Sequence, residues 1–445
     1  MPVPTPRLAV AAALVAVAVL VLPGDPLRWL LVLDGALLVA AVADWWTAPR
    51  PAALDVQREL PGVIALDGTG EVRWRVANPT TRRARVRLAD DLPPSLRAST
   101  RRVAFDVPAG GSAVAVAALN PSRRGRFALR EVVLRVDGPL RLAARQGRRP
   151  LPAVLRVYPP FRSRREAELR LSRARILELG LRAAQGRGGG TEFDSLREYT
   201  VDDEFRRIDW AATARAAKPI VRTYRAERNQ SVLSLLDTGR IMAGHVAAPA
   251  TDDAPAWDVP RLDHAMDAVM MLTAVSTRLG DRAGLVAFAD RVRAVVAPGH
   301  TRDQLARVTE AMYDLAPALA ESDYRGAFTA TLARFRRRAL LVVFTELAEQ
   351  ALAEMLVPAL PLVVRDHVVL VASVRDPEVD RWAAATPLEA ATAYRKAAAV
   401  ETLASRRRTV AMLRGLGAVV VDEPPGRLAP RLADAYLRVK ATGRL

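Results

Sequence analysis

Two apolar runs at the start of the chain limit what it can fold into more than any other feature. Arg7 precedes the run Leu8 to Leu22, Pro23-Gly24-Asp25-Pro26 follows, and a second run from Leu27 to Ala43 is broken only by Arg28, Asp34 and Gly35. A helix needs about 20 apolar residues to cross the hydrocarbon of a bilayer, so each run is slightly short alone. Flanking Pro2 to Arg7 and the pair Trp45 and Trp46 extend the spans to one interface, and Trp29 marks the other. The two runs therefore read as a transmembrane helical hairpin over residues 1–50. A secretory signal peptide is the rival reading, because a basic residue before an alanine-rich core has that form. The second run argues against it, since cleavage would leave that run as an apolar new N-terminus. Arg50, Arg58 and the arginine-rich remainder follow the second run, whereas the turn offers only Asp25 and Arg28. The positive-inside rule then places both ends, and the soluble part, in the cytoplasm of a multi-pass membrane protein. Asp34 is costly in lipid and must lie near the span's end, pair with Arg28 or face a partner helix.

At 445 residues the chain exceeds one hydrophobic core, so two or three domains are expected beside the hairpin. Its net charge of +18 comes almost wholly from arginine, Lys218, Lys396 and Lys440 being the only lysines. Such a chain is drawn to anionic surfaces; beside a bilayer the surplus sets topology and meets anionic lipid. Nucleic acid is the weaker alternative, since no nucleic-acid module is legible. The absence of cysteine removes disulfides, thiolate metal sites and cysteine nucleophiles together. His245, His264, His300 and His367 lie far apart, which argues against a zinc hydrolase.

Across 51–160 the periodicity becomes two. Glu71 to Val76, Arg85 to Leu88 and Ser112 to Ala117 alternate apolar with polar, the mark of half-buried strands. Asp67-Gly68, Asn78-Pro79, Pro93-Pro94, Gly110-Gly111, Asn120-Pro121 and Asp137-Gly138-Pro139 punctuate them at close spacing. The pattern predicts an immunoglobulin- or fibronectin-like β-sandwich, a spacer or docking module. Ser122 to Arg126 reads as a basic turn between strands.

Residues 161–229 read as a charged linker helix from Phe161 to Ala184, a glycine loop at Gly186 to Gly190, and an arginine-acid motif. The glycines are not followed by Gly-Lys-Ser/Thr and do not form a phosphate-binding loop. The motif runs Arg197, Tyr199, Asp202, Asp203, Arg206, Arg207, Ile208-Asp209-Trp210 and Thr213-Ala214-Arg215. Guanidinium-carboxylate pairs at this density fix geometry more than they add stability, so it reads as a clasp or a partner-recognition surface. No nucleophile setting stands beside Asp203 or Asp209, and no catalytic residue is assigned.

These residues, in this order, closely resemble the signature of the bacterial "domain of unknown function 58" family. Asp202 stands where the family usually has glycine, a harder fit if the turn is left-handed. The resemblance extends to the hairpin, the strand-rich segment with its Arg124-Gly125 turn, and the C-terminal region. It implies a membrane-tethered adaptor that docks partners beside a MoxR-type AAA+ ATPase.

From 230 to 445, apolar strands alternate with helices: strands at Ser231 to Leu236, Ala283 to Phe288, Ala339 to Phe344, His367 to Val374 and Ala418 to Val421. Helices are expected at Arg261 to Leu279, Thr301 to Leu315, Glu349 to Leu360, Pro387 to Leu413 and from Leu428. Unbroken apolar strands predict a buried, doubly wound parallel sheet with its crevice at Asp237, Asp290, Glu346 and Asp422. The order resembles the von Willebrand factor A fold, whose metal site uses aspartate-X-serine-X-serine, a later threonine and an aspartate. Asp237 matches, but Gly239 and Ile241 replace both serines; Ser322-Asp323 is the stand-in for the middle loop, and Thr345-Glu346 for threonine-aspartate. The degenerate set Asp237, Ser322, Asp323 and Glu346 is expected to bind no cofactor, or Mg2+ weakly. The alternatives to an adaptor are a divalent-metal enzyme and an arginine-driven binder of lipid or nucleic acid.

Overall fold

The computed structural model describes residues 1–169, 172, 192–200, 203, 205–225, 229–248, 257–347 and 352–442. The chain divides into two compact units, Met1–Pro160 and Phe161–Leu445.

In the first unit, α1 (Pro6–Val21) and α2 (Pro26–Thr47) are joined at Pro23 and Gly24, with Asp25 capping α2 through the Leu27 N–H. Among the described residues only the stretch Pro26–Ala53 is long and apolar enough to cross a membrane; α1, at 16 residues, covers about 24 Å. Proline at the start of α1 and Pro23 beyond its end confine it. One N-terminal helix among the described residues thus has the length and composition to span a membrane, where the apolar runs predict a pair of spans.

The strands are β1 (Pro2–Pro4), β2 (Asp55–Glu59), β3 (Val63–Ala65), β4 (Gly70–Ala77), β5 (Ala84–Asp90), β6 (Arg102–Val107), β7 (Ser112–Leu119), β8 (Gly125–Asp137) and β9 (Ala143–Tyr158). One sheet runs β1-β9-β8-β5-β6 with β3 added parallel to β9, and the other runs β2-β4-β7. Their facing residues alternate as the period-2 pattern requires: Val72, Trp74 and Val76 of β4 and Val86 and Leu88 of β5 are fully buried. Trp74 Nε1 donates to Asp90 Oδ2 at 2.5 Å, and Arg58 pairs with the same carboxylate, joining the two sheets through a buried polar link.

The helices are pinned to these sheets at one end. Pro2–Pro4 pairs antiparallel with Ala143 to Arg145, and the Thr5 N–H donates to the Leu142 carbonyl. Asp44, near the end of α2, is buried and accepts from the backbone N–H groups of Leu140 (2.6 Å), Leu142 (2.7 Å) and Ala143 (2.9 Å). Gly138 is required there, because a Cβ on it would lie 2.3 Å from the Asp44 carboxyl. Arg145 donates to the carbonyls of Trp45 and Trp46 and lies 5.0 Å from the Trp45 ring centre, satisfying acceptors that the helix end leaves open.

The second unit begins inside the segment expected as linker: Phe161 and Ala167 pack into its core, and Ser163 donates twice to Asp267. The rest of the expected linker helix, the glycine loop and Asp202 lie outside the described residues. β10 (Glu192–Glu198) and β11 (Ile220–Arg225) form an antiparallel hairpin that encloses α3 (Trp210–Ala216).

A six-stranded sheet follows, built from β12 (Ser231–Asp237), β15 (Arg282–Phe288), β16 (Val292–Gly299), β17 (Ala339–Phe344), β18 (Val368–Val374) and β19 (Val419–Glu423). Its order is β16-β15-β12-β17-β18-β19, parallel except for the edge strand β16. A small hairpin, β13 (His245–Ala248) with β14 (Trp257–Pro260), leads into α4 (Arg261–Arg278). Then come α5 (Gln304–Met312), α6 (Tyr324–Arg334), α7 (Pro361–Val364), α8 (Pro377–Ala384), α9 (Ala390–Gly415) and α10 (Leu428–Ala441). Apolar cores lie on both sides of the sheet, as unbroken strands such as Ala339–Phe344 demand.

The departures from expectation have local causes. The long helix expected from Pro387 is α9, which starts at a capping box between Glu389 and Thr392, with α8 separate before it. Of the helix expected over Glu349 to Leu360, the described part is a π turn at Leu352–Leu356, ended near Pro358 and Pro361. β16 and α6 had no strong periodic signal and were not expected.

Candidate functional site

The signature motif folds into a self-contained clasp. Arg197 on β10 grips Asp203 with both guanidinium nitrogens, at 2.8 and 2.5 Å, and Asp203 also accepts from the N–H and hydroxyl of Thr200. These bonds, the Arg197 pair foremost, lower the Asp203 pKa to about 2. Asp209 caps α3 through the Ala212 N–H at 3.0 Å and accepts from Arg222 Nε of β11 at 2.7 Å, which together hold its carboxyl below the usual range. Thr213 Oγ1 accepts from the Ile220 N–H, and the Tyr199 N–H donates to the Pro219 carbonyl. The acids and Arg197 are thus consumed in shaping the hairpin.

What the clasp presents outward is different in kind. Phe205 and Trp210 stand 67% and 61% exposed, edge to face with ring centres 5.6 Å apart. Arg206 and Arg215 are exposed beside them in sequence, without a carboxylate partner among the described residues. The backbone of Arg207 is described, in a short 3-10 turn.

At the carboxyl ends of the parallel strands, the expected metal quartet does not assemble. Asp237 is fully buried and each of its oxygens is engaged: Oδ1 accepts from Ser322 Oγ (2.5 Å) and the Gly239 N–H (2.8 Å), Oδ2 from Tyr324 OH and Thr345 Oγ1 (both 2.8 Å). Tyr324 OH also lies 2.8 Å from Thr345 Oγ1, with its ring edge-on to Phe288. Burial raises the Asp237 pKa against these hydrogen bonds and pushes the Tyr324 phenol well above its ordinary value. Ser322 therefore joins Asp237 as expected. Asp323 does not; it is exposed and caps α6 through the Gly326 N–H at 2.8 Å. Glu346 does not either, being held by Arg406 (2.6 Å) and Arg261 (3.1 Å).

An octahedral cation needs several open oxygen ligands at close to ideal geometry, and these residues do not fit one. The Tyr324 phenol occupies the space between Asp237 and Thr345, and no cluster of three acidic or histidine side chains suited to a metal occurs among the described residues. Gly239 follows from the same packing: a Cβ there would lie 2.0 Å from Ser322 Oγ.

Beside this cluster, Arg406 of α9 reaches into the sheet edge. It forms a two-pronged pair with Asp422 of β19 (2.8 and 2.7 Å) and donates to Ser373 Oγ of β18 (2.8 Å) as well as to Glu346 after β17. These partners raise the guanidinium pKa despite burial. Arg406 and Tyr324 escaped sequence reasoning. Arg406 is one of four consecutive polar residues, Ser405 to Arg408, with nothing to single out the buried one, and Tyr324 offered no motif.

Comparison with known proteins fits the motif. The family described as "Protein of unknown function DUF58" matches residues 195–387. None of the curated proteins matches. Among solved structures, the chain is similar to the CARDB domain of the PF1109 protein from Pyrococcus furiosus, at 12% identity over 25% of this chain and 90% of that one, with a TM-score of 0.17. It is also similar to a protein of unknown function from Porphyromonas gingivalis W83, at 14% identity over 44% of this chain and 62% of that one, with a TM-score of 0.19. Neither similarity is close enough to carry the fold or a function. The segment that holds the clasp, the Asp237 cluster and Glu346 is the segment the family match covers, and over those residues the chain matches the DUF58 family.

Proposed function

We propose that the chain is a membrane-tethered adaptor without catalytic activity, crossing the bilayer twice and docking a protein partner with its C-terminal unit on the cytoplasmic side. The observation that carries this reading is the exposed Phe205–Trp210 pair on a clasp whose Asp203 and Asp209 are both turned inward. Rigid aromatic anchors beside exposed arginines are what protein interfaces concentrate their binding energy in. The sheet edge, where a doubly wound fold would host chemistry, is instead closed by Arg406 and the Asp237 hydroxyl cluster. The sheet order, with one antiparallel edge strand, supports a von Willebrand factor A-like reading, and the first unit's two facing sheets support a sandwich of immunoglobulin type. The pinning of both Pro2–Pro4 and Asp44 to the same sheet end supports a two-pass hairpin, with α1 extended by its flanks.

By family resemblance the partner is a MoxR-type AAA+ ATPase. The test is co-purification of such an ATPase with the full chain in detergent, together with its ATPase rate. Trp210→Ala with Phe205→Ala should reduce capture at least about tenfold while the fold melts unchanged. Equal capture by the variant, or no capture and no change in rate with the native chain, would sink the proposal.

A further inference from the structure

The junction between α1 and the β-sheets carries a charge imbalance that neither the fold nor the adaptor reading uses. Arg141 sits in the β8–β9 loop in a left-handed conformation, φ 59°, and its carbonyl accepts from the Thr5 hydroxyl one residue before α1 begins. The same loop is held by Asp44 of α2. Arg7, exposed in the first turn of α1, follows Thr5 by two residues. Arg135 donates to the Pro4 carbonyl at 2.5 Å, and Arg85 is paired across the strands with Asp137, the last residue of β8 before the loop.

The acids in this neighbourhood are already committed, Asp44 to the backbone N–H groups of Leu140, Leu142 and Ala143. Asp106 accepts from Arg83 at 2.5 and 2.7 Å and Asp137 pairs with Arg87. Arg85 reaches Asp106 only at 3.7 Å. Arg7 and Arg141 have no carboxylate partner among the described residues, and the Nε atoms of Arg141 and Arg135 are buried without an acceptor. Burial, then the positive charges of Arg85 and Arg7, lower the Arg141 pKa. Trp45 and Trp46, the latter 74% exposed, lie at the same end of the helices, the level where aromatic residues meet lipid headgroups.

We propose that this junction is a headgroup site for an anionic phospholipid, its phosphate held by Arg7 and Arg141 with Arg85 behind them. The chemistry is that of guanidinium forks, whose planar donors match phosphate oxygens in pairs. Lipid is the occupant because the site lies where the apolar helices leave the sheets. A phosphate here bridges α1 to the β8–β9 loop, adding to the latch that Thr5 and Asp44 make. The site rests on the membrane reading of α1 and α2.

The experiment uses the full chain in nanodiscs of phosphatidylcholine, with or without added phosphatidylglycerol, and hydrogen exchange of the loop at 138–142 as the readout. Protection should rise several-fold with phosphatidylglycerol, and native mass spectrometry should find that lipid retained. Arg7→Gln, on the exposed face of α1, and Arg141→Gln should each erase most of the difference. Arg101→Gln, which removes the same charge near the opposite end of β5, should leave it intact. Equal protection in both discs overturns the site, as does equal protection from inorganic phosphate in phosphatidylcholine discs, or an effect of Arg101→Gln as large as that of Arg141→Gln. A chain that fails to enter discs of either composition refutes the membrane reading itself, a separate outcome.

Discussion

Arg406 offers the sharpest test of how the C-terminal unit is closed. Its side chain is 9% exposed, and the carboxylates it holds, Glu346 and Asp422, are 12% and 15% exposed. Arg406→Met keeps the length of the stem and removes every donor. Asp422 then loses both of its guanidinium contacts, Glu346 keeps Arg261 at 3.1 Å and the Ser373 hydroxyl at 3.3 Å, and Ser373 loses a neighbour at 2.8 Å. Removing one partner of a buried ion pair costs about 3–5 kcal/mol, most of it the desolvation of the charge left behind. In a unit of this size that is a fall in melting temperature of roughly 6–20 °C. The assay is scanning calorimetry of the full chain in detergent, with hydrogen exchange of β18 and β19 reporting whether the loss is local. The reasoning makes a second demand. If the cost is stranded charge, then Arg406→Met combined with Glu346→Gln and Asp422→Asn should melt well above the single variant, since replacing a whole buried cluster is often close to neutral. Arg406→Lys should fall between, keeping charge but losing the fork. A single variant within about 2 °C of the native chain, or a triple variant no better than the single, would refute the account.

The remaining expectations concern the clasp, a buried acid and the Asp237 cluster. The low pKa of Asp203, about 2 against 3.8 for the free side chain, means its contribution to hairpin stability is present above pH 3.8 and is lost as pH falls toward 2. Trp210 emission should report opening in that window, and Asp203→Asn should show the opened signal already at neutral pH. Burial pushes Asp267 the other way, to about 6, so the native state binds its proton more tightly than the unfolded chain and stability declines as pH rises from 3.8 to 6. Asp267→Asn, whose amide oxygen can still accept from the Ser163 N–H and hydroxyl, should flatten that decline in urea titrations; an unchanged slope counts against it. Gly239→Ser, which places a serine where the von Willebrand factor A metal motif has one, should fail to produce magnesium binding by calorimetry. It should instead destabilise by about 1–3 kcal/mol, because its Cβ would meet Ser322 Oγ at 2.0 Å.

Different physical signals made different parts of this molecule readable. The β-sheet unit was legible because Glu71 to Val76 and Arg85 to Leu88 alternate, and alternation has one structural meaning when one face is buried. The parallel sheet was legible because a run such as Ala339–Phe344, buried at every position, can only be covered from both sides. The edge strand Val292–Gly299 was missed because an edge is half exposed and this one ends in Pro298 and Gly299. Pro2–Pro4 was missed as a strand because three residues carry no period, and its pairing with β9 depends on contacts more than a hundred residues away. Among site residues, Asp203 and Asp209 were legible as members of a charged network, but their direction was not. Whether an acid faces a partner or its own hairpin is decided by Arg197 and Arg222 on the paired strands.

The Asp237 cluster shows why a motif with missing ligands need not be a decayed site. A buried carboxylate without partners is an isolated charge, far too costly to persist. Here the partners come from elsewhere in the chain: Ser322 and Tyr324 from the loop and first turn around α6, and Thr345 from the end of β17. Three hydroxyls and the Gly239 N–H supply the hydrogen bonds that a cation and its waters would otherwise organise. The replacements constrain one another, since Ser322 can approach only because residue 239 has no side chain, and Tyr324 is braced by Phe288 on the neighbouring strand. Arg406 completes the substitution a few residues along the edge, placing a fixed positive charge among Glu346 and Asp422. A surface closed in this way leaves few free polar groups where Asp237, Glu346 and Asp422 stand at the sheet's carboxyl end.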